Sequence, residues 1–191
     1  MADGCLTKKN SLFITLSAKD KEHLQKLANY LQCDIKSFTK YSKFGLHDFV
    51  QLQIQDSNIV KKWIDLFEYK FPKTYNPPKL DIFYNRELFI YFFIGFIDGD
   101  GCIWRSRVNE NNKGSIALKI ENHKSWYNIF VLWSKLLFDL YNININVSIN
   151  KRNFAQIICK SNKDLFKIYN YVNCCDYMDR KWHHVRDFVS L

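Results

Sequence analysis

Two segments of the chain repeat one pattern, and this internal repeat constrains the fold more than any other feature. ADGC at residues 2–5 recurs as GDGC at 99–102, and FVQLQIQDSNIV at 49–60 matches FAQIICKSNKDL at 154–165. Between these blocks, the alternating apolar residues of one strand match those of another: Leu12, Ile14 and Leu16 with Ile116, Leu118 and Ile120. Because the blocks occur in the same order, they indicate a duplicated unit.

Each copy combines period-two strands with helical spacing, which predicts an α+β fold. The first copy predicts strands at 12–17, 34–42 and 47–55 and helices at 20–31 and 58–69. The second copy predicts strands at 102–108, 114–121, 143–150 and 154–160, with helices at 86–97, 123–140, 162–172 and 178–190. Prolines mark 71–84 as a linker, so we predict domains at 1–84 and 85–191.

The composition favours a polyanionic partner. Lys and Arg total 28 against 19 Asp and Glu, which gives a formal net charge of +9 and a pI near 9.2. Such an excess attracts nucleic acid or an anionic membrane surface. The longest apolar run, 88–97, is too short to span a membrane, and residues 1–11 lack the apolar core of a signal peptide. We therefore expect a nucleic-acid partner and no membrane.

The six cysteines form no C-x-x-C pair, which is typical of reduced thiols inside a cell. Cys174 and Cys175 precede His183 and His184, but this spacing matches no standard zinc pattern, so we expect no zinc site there. Phe, Tyr, Ile, Asn and Lys are abundant, and their codons are A/T-rich. This composition suggests an A/T-rich genome, such as that of an organelle or a phage, and we expect a chloroplast or mitochondrial location.

The most apolar segment of the chain ends in acids and glycines. FIYFFIGFI at 89–97 is apolar almost all round, which predicts a buried helix. Gly95 weakens such a helix by about 1 kcal/mol relative to Ala, so it indicates close approach of another backbone. FIGFIDGDG at 93–101 resembles the LAGLIDADG motif of homing endonucleases, which Gly95, Asp98, Asp100 and Gly101 match outright.

This resemblance implies a pseudo-twofold, duplicated αββαββα fold whose curved antiparallel sheets form a saddle over double-stranded DNA. It implies an endonuclease that hydrolyses DNA with Mg²⁺. The implied metal ligands, which should lie side by side, are the carboxylates of Asp3 and Asp100 and the backbone carbonyls of Ala2 and Gly99. The implied catalytic helpers are a polar residue near the attacking water and two basic residues: Asn122, Lys181 and Lys79. Asp98 is expected to be structural.

Cations on predicted strands or hairpin tips are the expected DNA contacts. They are Lys8, Lys9, Arg105, Arg107, Lys119, Lys151 and Arg152. Arg105 and Arg107 share one face of their strand by parity. Counting from Asp100, as the family's pattern does, places Trp104 and Ser106 on the DNA face instead. A one-residue slip exchanges the two faces, so both registers stay open.

The sequence departs from the family's pattern at its start. MADG begins inside the first motif, so the first motif helix has no counterpart before Asp3. Three explanations stay open: an upstream start of the reading frame, a decaying endonuclease, or a partner that supplies the helix. The leading prediction is a monomeric, intron-encoded, site-specific DNA endonuclease. The alternatives are a maturase that binds intron RNA and a DNA-binding remnant without catalysis.

Overall fold

The structure, a computed structural model, describes residues 4–7, 11–43, 45–72, 74–77, 79, 86–105 and 114–189. The strands are β1 (Gly4–Leu6), β2 (Leu12–Ser17), β3 (Ile35–Ser42), β4 (Gly45–Ile54), β5 (Gly101–Arg105), β6 (Ile116–His123), β7 (Asn146–Ile149) and β8 (Phe154–Cys159). The helices are α1 (Lys21–Tyr30), α2 (Ser57–Leu66), α3 (Arg86–Asp100), α4 (Tyr127–Tyr141), α5 (Asn162–Val172) and α6 (Asp179–Val189). Short 3₁₀ helices at Ala18–Asp20 and Lys124–Trp126 precede α1 and α4.

The chain divides into two compact units, Met1–Asp65 and Leu66–Leu191, and each contains one four-stranded antiparallel sheet. The strand order is β1-β2-β4-β3 in the first sheet and β5-β6-β8-β7 in the second. The predicted α+β fold is confirmed, and the two sheets share one topology, as a duplication requires. The predicted repeat boundary at residue 84 stays a prediction.

Among the residues that the structure describes, helix packs against one face of the first sheet. Helix α1 packs against β2, β3 and β4, and its Leu24 and Ala28 are buried. Leu12 and Ile54 form a cluster with Val60 of α2. The buried strand residues on this side are Leu12, Leu16, Val50, Leu52 and Ile54. The alternate residues of the same strands form what we call the open face of the first sheet.

Aromatic packing fixes helix α3 in the second unit. Phe89, Phe93 and Phe96 surround the buried indole of Trp133 on α4, with ring centroids 6.4, 6.0 and 4.9 Å away. Edge-to-face contacts of this kind contribute beyond the area they bury. In the part of the chain that the structure describes, no helix is long and apolar enough to cross a membrane.

The prediction that α3 is buried all round is wrong for one stripe of the helix. Leu88 and Tyr91 are 54% and 38% exposed, and Gly95 is exposed as well. These positions recur every three or four residues, so they share one side of the helix. A Cβ built on Gly95 meets no atom within 4 Å. The close backbone approach expected at Gly95 is therefore not seen among the described residues.

The strand registers correct the alignment of the two copies. Gly4 pairs with Ile14, and Gly101 pairs with Ile120, so Ile14 corresponds to Ile120 rather than to Leu118. Ser17 and His123, which cap the two 3₁₀ helices, then correspond as well. By the same offset, the counterpart of Asn122 in the first unit is Leu16. The predicted match of β2 with β6 was therefore wrong by two residues. A shift of two keeps every side chain on the same face of its strand, so the assignment of faces is unchanged.

Candidate active site

The exit from helix α3 requires glycine. Helix α3 ends at Asp100, and Gly101 begins β5 at once. A Cβ on Gly101 would lie 2.5 Å from the carbonyl oxygen of Ile97 and 2.8 Å from its Cα. Both are backbone atoms that cannot swing aside, so only glycine lets the chain turn here directly from helix into strand.

Asp98 anchors the last helix to the motif. Its side chain is 4% exposed, with Oδ2 accepting a hydrogen bond from the Met178 backbone N–H at 3.0 Å. Its Oδ1 accepts another from Trp182 Nε1 at 2.7 Å. Met178 immediately precedes α6, so the carboxylate holds a backbone N–H where this helix begins. These contacts fit the structural role expected for Asp98.

Lys181 joins the first turn of α6 to the last turn of α3. Its Nζ donates to the carbonyl oxygens of Gly99 at 2.7 Å and Ile97 at 3.1 Å. Carbonyls at a helix C-terminus carry partial negative charge, which favours an ammonium at this position. Two residues predicted for the site, Lys181 and Gly99, are thus in direct contact.

Asp100 presents its carboxylate at the surface beside Asn122. Asn122 Nδ2 donates to Asp100 Oδ2 at 3.4 Å, a long hydrogen bond that joins the end of α3 to β6. Asn122 Oδ1 accepts from the His123 backbone N–H at 3.3 Å, which orients the carboxamide. Asp100 is exposed, in contrast to Asp98 two residues before it. The structure therefore brings four predicted site residues to one end of α3: Gly99, Asp100, Asn122 and Lys181.

The other predicted site residues are placed elsewhere or not described. Lys79 ion-pairs with Glu68 at 2.9 Å, and its backbone N–H donates to the Phe67 carbonyl. Both partners, Glu68 and Phe67, lie just before the predicted linker. A catalytic role for Lys79 stays a prediction. Ala2 and Asp3 lie outside the described residues. The expectation that the carboxylates of Asp3 and Asp100 are neighbours is therefore also still a prediction.

The donors around Asp100 suit a hard divalent cation. Carboxylate, carbonyl and carboxamide oxygens are the ligands that Mg²⁺ prefers. The Gly99 carbonyl accepts from Lys181, and a carbonyl oxygen has a second lone pair. Within the described ranges, no three His, Cys, Asp or Glu side chains cluster as a metal site. The described residues thus offer one carboxylate and one carbonyl oxygen as ligands for such an ion.

Strand β5 settles which register faces outward in the second sheet. Cys102 and Trp104 are exposed, whereas Gly101 and Ile103 are buried by the helices. Arg105 shares parity with Ile103, and its guanidinium lies 5.2 Å from the Phe188 ring of α6. Arg105 is therefore on the helix-covered side, contrary to its predicted place on the DNA face. The register with Trp104 outward, which the family's pattern favours, is the one observed.

Charged and polar side chains line the outward face around Trp104. Glu121 forms ion pairs with Lys119 and, at 2.6 Å, with Arg152. The hydrogen bond from Lys119 lowers the pKa of Glu121, and the charges of Lys119 and Arg152 add to this effect against partial burial. On the next strands, Gln156 Nε2 donates to Ser148 Oγ at 2.9 Å. Lys119 and Arg152 thus lie on the strand and the hairpin turn where the sequence predicts them. Both, however, pair with the same acid, Glu121.

Of the remaining predicted DNA contacts, the structure describes one, at a hairpin tip. Lys151 is exposed in the turn that joins β7 to β8. Lys8, Lys9 and Arg107 lie outside the described residues. Sequence reasoning missed the cations of the first sheet's open face, Lys36 and Lys40. Their alternation with Phe38 along β3 is the signal that could have found them.

Comparison with solved structures identifies the fold. Full-length DUF199/WhiA from Thermatoga maritima matches 99% of this chain at 21% identity and a TM-score of 0.58, and this chain spans 56% of its length. The homing endonuclease I-WcaI bound to its DNA recognition sequence matches 96% of this chain and 80% of its own, at 15% identity and a TM-score of 0.63. I-SmaMI bound to an uncleaved DNA target in the presence of calcium ions matches 99% and 86%, at 12% identity and a TM-score of 0.60.

The chain therefore has the fold of the LAGLIDADG homing endonucleases, as the motif at 93–101 implies. No protein-family model and no curated protein sequence matches it. At these identities the likeness concerns the fold alone, and function has to be argued from the site.

Proposed function

We propose that this chain is a site-specific double-strand DNA endonuclease of the homing type. The observation that carries the proposal is the exposed carboxylate of Asp100 at the exit of α3, held by Asn122 beside the Gly99 carbonyl. A surface acid next to oxygen donors, on a fold shared with DNA-bound homing endonucleases, suits metal-dependent phosphodiester hydrolysis. The A/T-rich codon bias supports an intron of an organellar genome as its origin.

Each residue of the site has a distinct part in the proposed chemistry. Mg²⁺, when bound, supplies stabilisation of the charge that develops on the phosphate. Asp100 and the Gly99 carbonyl would hold the ion, and the predicted second acid is Asp3. Asn122 orients the Asp100 carboxylate through its 3.4 Å hydrogen bond. Lys181 fixes the end of α3 and places a positive charge beside the site.

The outward face of the second sheet is the proposed surface for duplex DNA. Its cations, Lys119, Lys151 and Arg152, would contact phosphates, which provides affinity without sequence information. Gln156 on β8 and Ser148 on the edge strand β7, joined by a hydrogen bond, present donors and acceptors suited to base edges. Because one chain carries both repeats, the proposed active form is a monomer.

The direct test replaces Asp100 by Asn and compares cleavage with binding. Wild-type protein with Mg²⁺ is incubated with a plasmid library of host-genome fragments, and new DNA ends are sequenced. We expect specific double-strand breaks from the wild type and none from Asp100→Asn, while duplex affinity changes by less than about threefold because the phosphate-binding cations remain. Asp139→Asn, an exposed acid on α4, is the matched control and should cut normally.

Cleavage by Asp100→Asn at the wild-type rate would remove Asp100 from the mechanism. Duplex binding by the wild type without any cleavage would instead favour the DNA-binding remnant. The maturase alternative is distinguished by splicing of the host intron, which should survive Asp100→Asn because RNA binding does not need the metal.

A further inference from the structure

We propose that two copies of this chain associate edge to edge through β7, so that their second sheets join into one continuous antiparallel sheet. The occupant of the edge is thus a second copy of the chain, and the interface is symmetric. The association joins two complete chains. It therefore goes beyond the proposed single-chain nuclease and does not depend on cleavage at Asp100.

The outer edge of β7 presents backbone groups to another strand. In the strand order β5-β6-β8-β7, β8 is the one neighbour of β7 among the described residues. The Asn150 backbone N–H donates to the Phe154 carbonyl at 2.9 Å, so it faces β8. Backbone groups alternate in direction along a strand, and those of Val147 and Ile149 therefore face away from the sheet. Such a row is a template for pairing with a further strand.

The sequence of this edge is nearly palindromic about Val147. Residues 144–150 read NINVSIN. When two copies pair antiparallel with Val147 opposite itself, Ile145 lies opposite Ile149, and every other pair within the segment matches a polar side chain with a polar one. Cross-strand pairs of like character are the unit that stabilises an antiparallel sheet. The segment is therefore complementary to itself.

Backbone geometry agrees with the same register. Two antiparallel strands exchange hydrogen bonds only where the outward-facing groups of one meet those of the other. The register centred on Val147 meets this condition, because Ile145, Val147 and Ile149 all have the same backbone direction. It would form about six backbone hydrogen bonds between the copies. A centre one residue later would place Ile145 opposite Lys151 and lose the apolar match.

Apolar side chains beside the edge gain burial from such a partner. Ile149 is 49% exposed, although it shares the parity of Val147 on the side that α4 covers. A groove between α4 and β7 is lined by Val131, Phe138 and Val147, and Phe138 is 53% exposed. A strand added at the edge would bury Ile149 and extend the sheet along this groove. Main-chain hydrogen bonds with alternate side chains in a groove are the usual means of strand addition.

The two sheets differ in how their edges are protected. Residues 142–150 contain only Asn, Ser, Ile and Val. The edge strand of the first sheet, β3, instead carries Lys36 and Lys40, and lysine is a side chain that commonly prevents pairing at an exposed edge. Lys135 lies beside the groove, and each chain has a formal charge of +9. Salt screens this repulsion, so it should strengthen the association, whereas it weakens DNA binding.

Sedimentation equilibrium of the full chain without DNA or Mg²⁺ tests the proposal. As the concentration rises from about 1 to about 200 µM, we expect the mass to increase from 22.9 kDa towards twice that value, as for a weak interface of small area. Association should be stronger at about 500 mM salt than at about 100 mM.

A charge placed on the edge should prevent the association. Ile149→Lys puts an ammonium into an apolar pair, and we expect the dissociation constant to rise at least about tenfold. Leu46→Lys, the same change at an exposed strand residue of the first sheet, is the matched control and should associate like the wild type.

Cysteine crosslinking reads the register directly, in a chain whose three exposed natural cysteines are replaced by Ser. With a mild oxidant, Val147→Cys should form a disulfide with its own copy, because the two Cα atoms would lie about 5.5 Å apart. Ile149→Cys should not, since its copy lies four residues away along the strand.

A single-chain mass at every concentration would overturn the proposal, and so would equal dissociation constants for Ile149→Lys and Leu46→Lys. Crosslinking at position 149 in place of 147 would also overturn it, because the copies would then meet in another register. Loss of cleavage with association intact would overturn the nuclease proposal alone.

Discussion

Two aspartates that flank Gly99 have opposite environments in this molecule. Asp98 is buried and accepts hydrogen bonds from Met178 and Trp182, whereas Asp100 is exposed and accepts from Asn122. The sequence predicts this division only through the family resemblance, because both side chains are carboxylates at the same helix end. Burial assigns the first to stability and leaves the second available for chemistry.

Stability should therefore distinguish the two acids. Asp98→Ala leaves two buried donors without an acceptor, and we expect it to lower the free energy of unfolding by about 3 kcal/mol. Asp100→Asn should change that free energy by less than about 0.5 kcal/mol, because the side chain is exposed. Urea unfolding followed by circular dichroism measures both. Equal losses from the two variants would contradict the assignment.

The reactivity of two cysteine thiols at alkaline pH tests whether Cys159 is buried. Burial raises the pKa of Cys159 from 9.0 to about 11, whereas Cys102 is exposed on β5. Because the folded pKa is the higher one, the thiol's contribution to stability is complete below pH 9.0 and is lost as the pH rises towards 11. Iodoacetamide reacts with the thiolate. At pH 8 we expect native protein to be modified at Cys102 and not at Cys159, as read by peptide mass spectrometry.

Unfolding in urea before alkylation supplies the control, and both cysteines should then react. Modification of Cys159 in the native protein as fast as Cys102 would show that the residue is not held in the core.

At the scale of elements, periodicity predicted the helices and strands well but could not fix register. The helix predicted at 162–172 is observed at the same residues, and the strand predicted at 154–160 ends one residue earlier. The alignment of β2 with β6 was two residues out because a shift of two preserves the apolar alternation. Only backbone pairing, such as Gly101 with Ile120, removes that ambiguity.

Two glycines, one within helix α3 and one just past its end, should respond to alanine in opposite ways. At Gly101, just past the helix, a Cβ would meet the Ile97 backbone at 2.5 Å, whereas at Gly95 it would meet nothing within 4 Å. We expect Gly101→Ala to destabilise the chain by at least about 2 kcal/mol, because backbone must move to admit the methyl group. Gly95→Ala should instead stabilise it by up to about 1 kcal/mol through helix propensity.

Thermal and urea unfolding of the two alanine variants, made in parallel, measure the difference. A loss of stability in Gly95→Ala similar to that in Gly101→Ala would mean that another backbone does approach Gly95. That result would restore the original interpretation of this glycine.

For the whole molecule, the repeat and the motif together were sufficient to predict the α+β fold. Four of the predicted site residues lie together at one end of α3, and their roles stay predictions. The side of the sheet on which Arg105 lies could not be predicted, because it depends on a one-residue register that composition does not constrain. Lys36 and Lys40 on the first sheet's open face were not among the predicted DNA contacts, because their charges alternate with an aromatic residue along β3 and form no run in the sequence. Both errors concern surfaces, where hydrophobic pattern carries little information.

Net charge makes a prediction for the molecule as a whole. With a formal charge of +9, duplex binding should be dominated by phosphate contacts and the release of counterions. If about six contacts form, affinity should fall roughly 10³-fold between ~50 mM and ~200 mM salt. Anisotropy titrations of a labelled duplex at five salt concentrations give the slope of log affinity against log salt.

Single substitutions then locate the contacts that produce this slope. Lys151→Gln, at the tip of the β7–β8 hairpin, should reduce the slope by about 1, because one phosphate contact is lost. Lys135→Gln makes the same charge change on α4, which packs against the opposite side of the second sheet, and should leave the slope unaltered. Equal effects from the two variants would mean that the duplex responds to overall charge and has no preferred face. A slope that Lys151→Gln reduces and Lys135→Gln does not would instead assign DNA binding to the outward face of the second sheet.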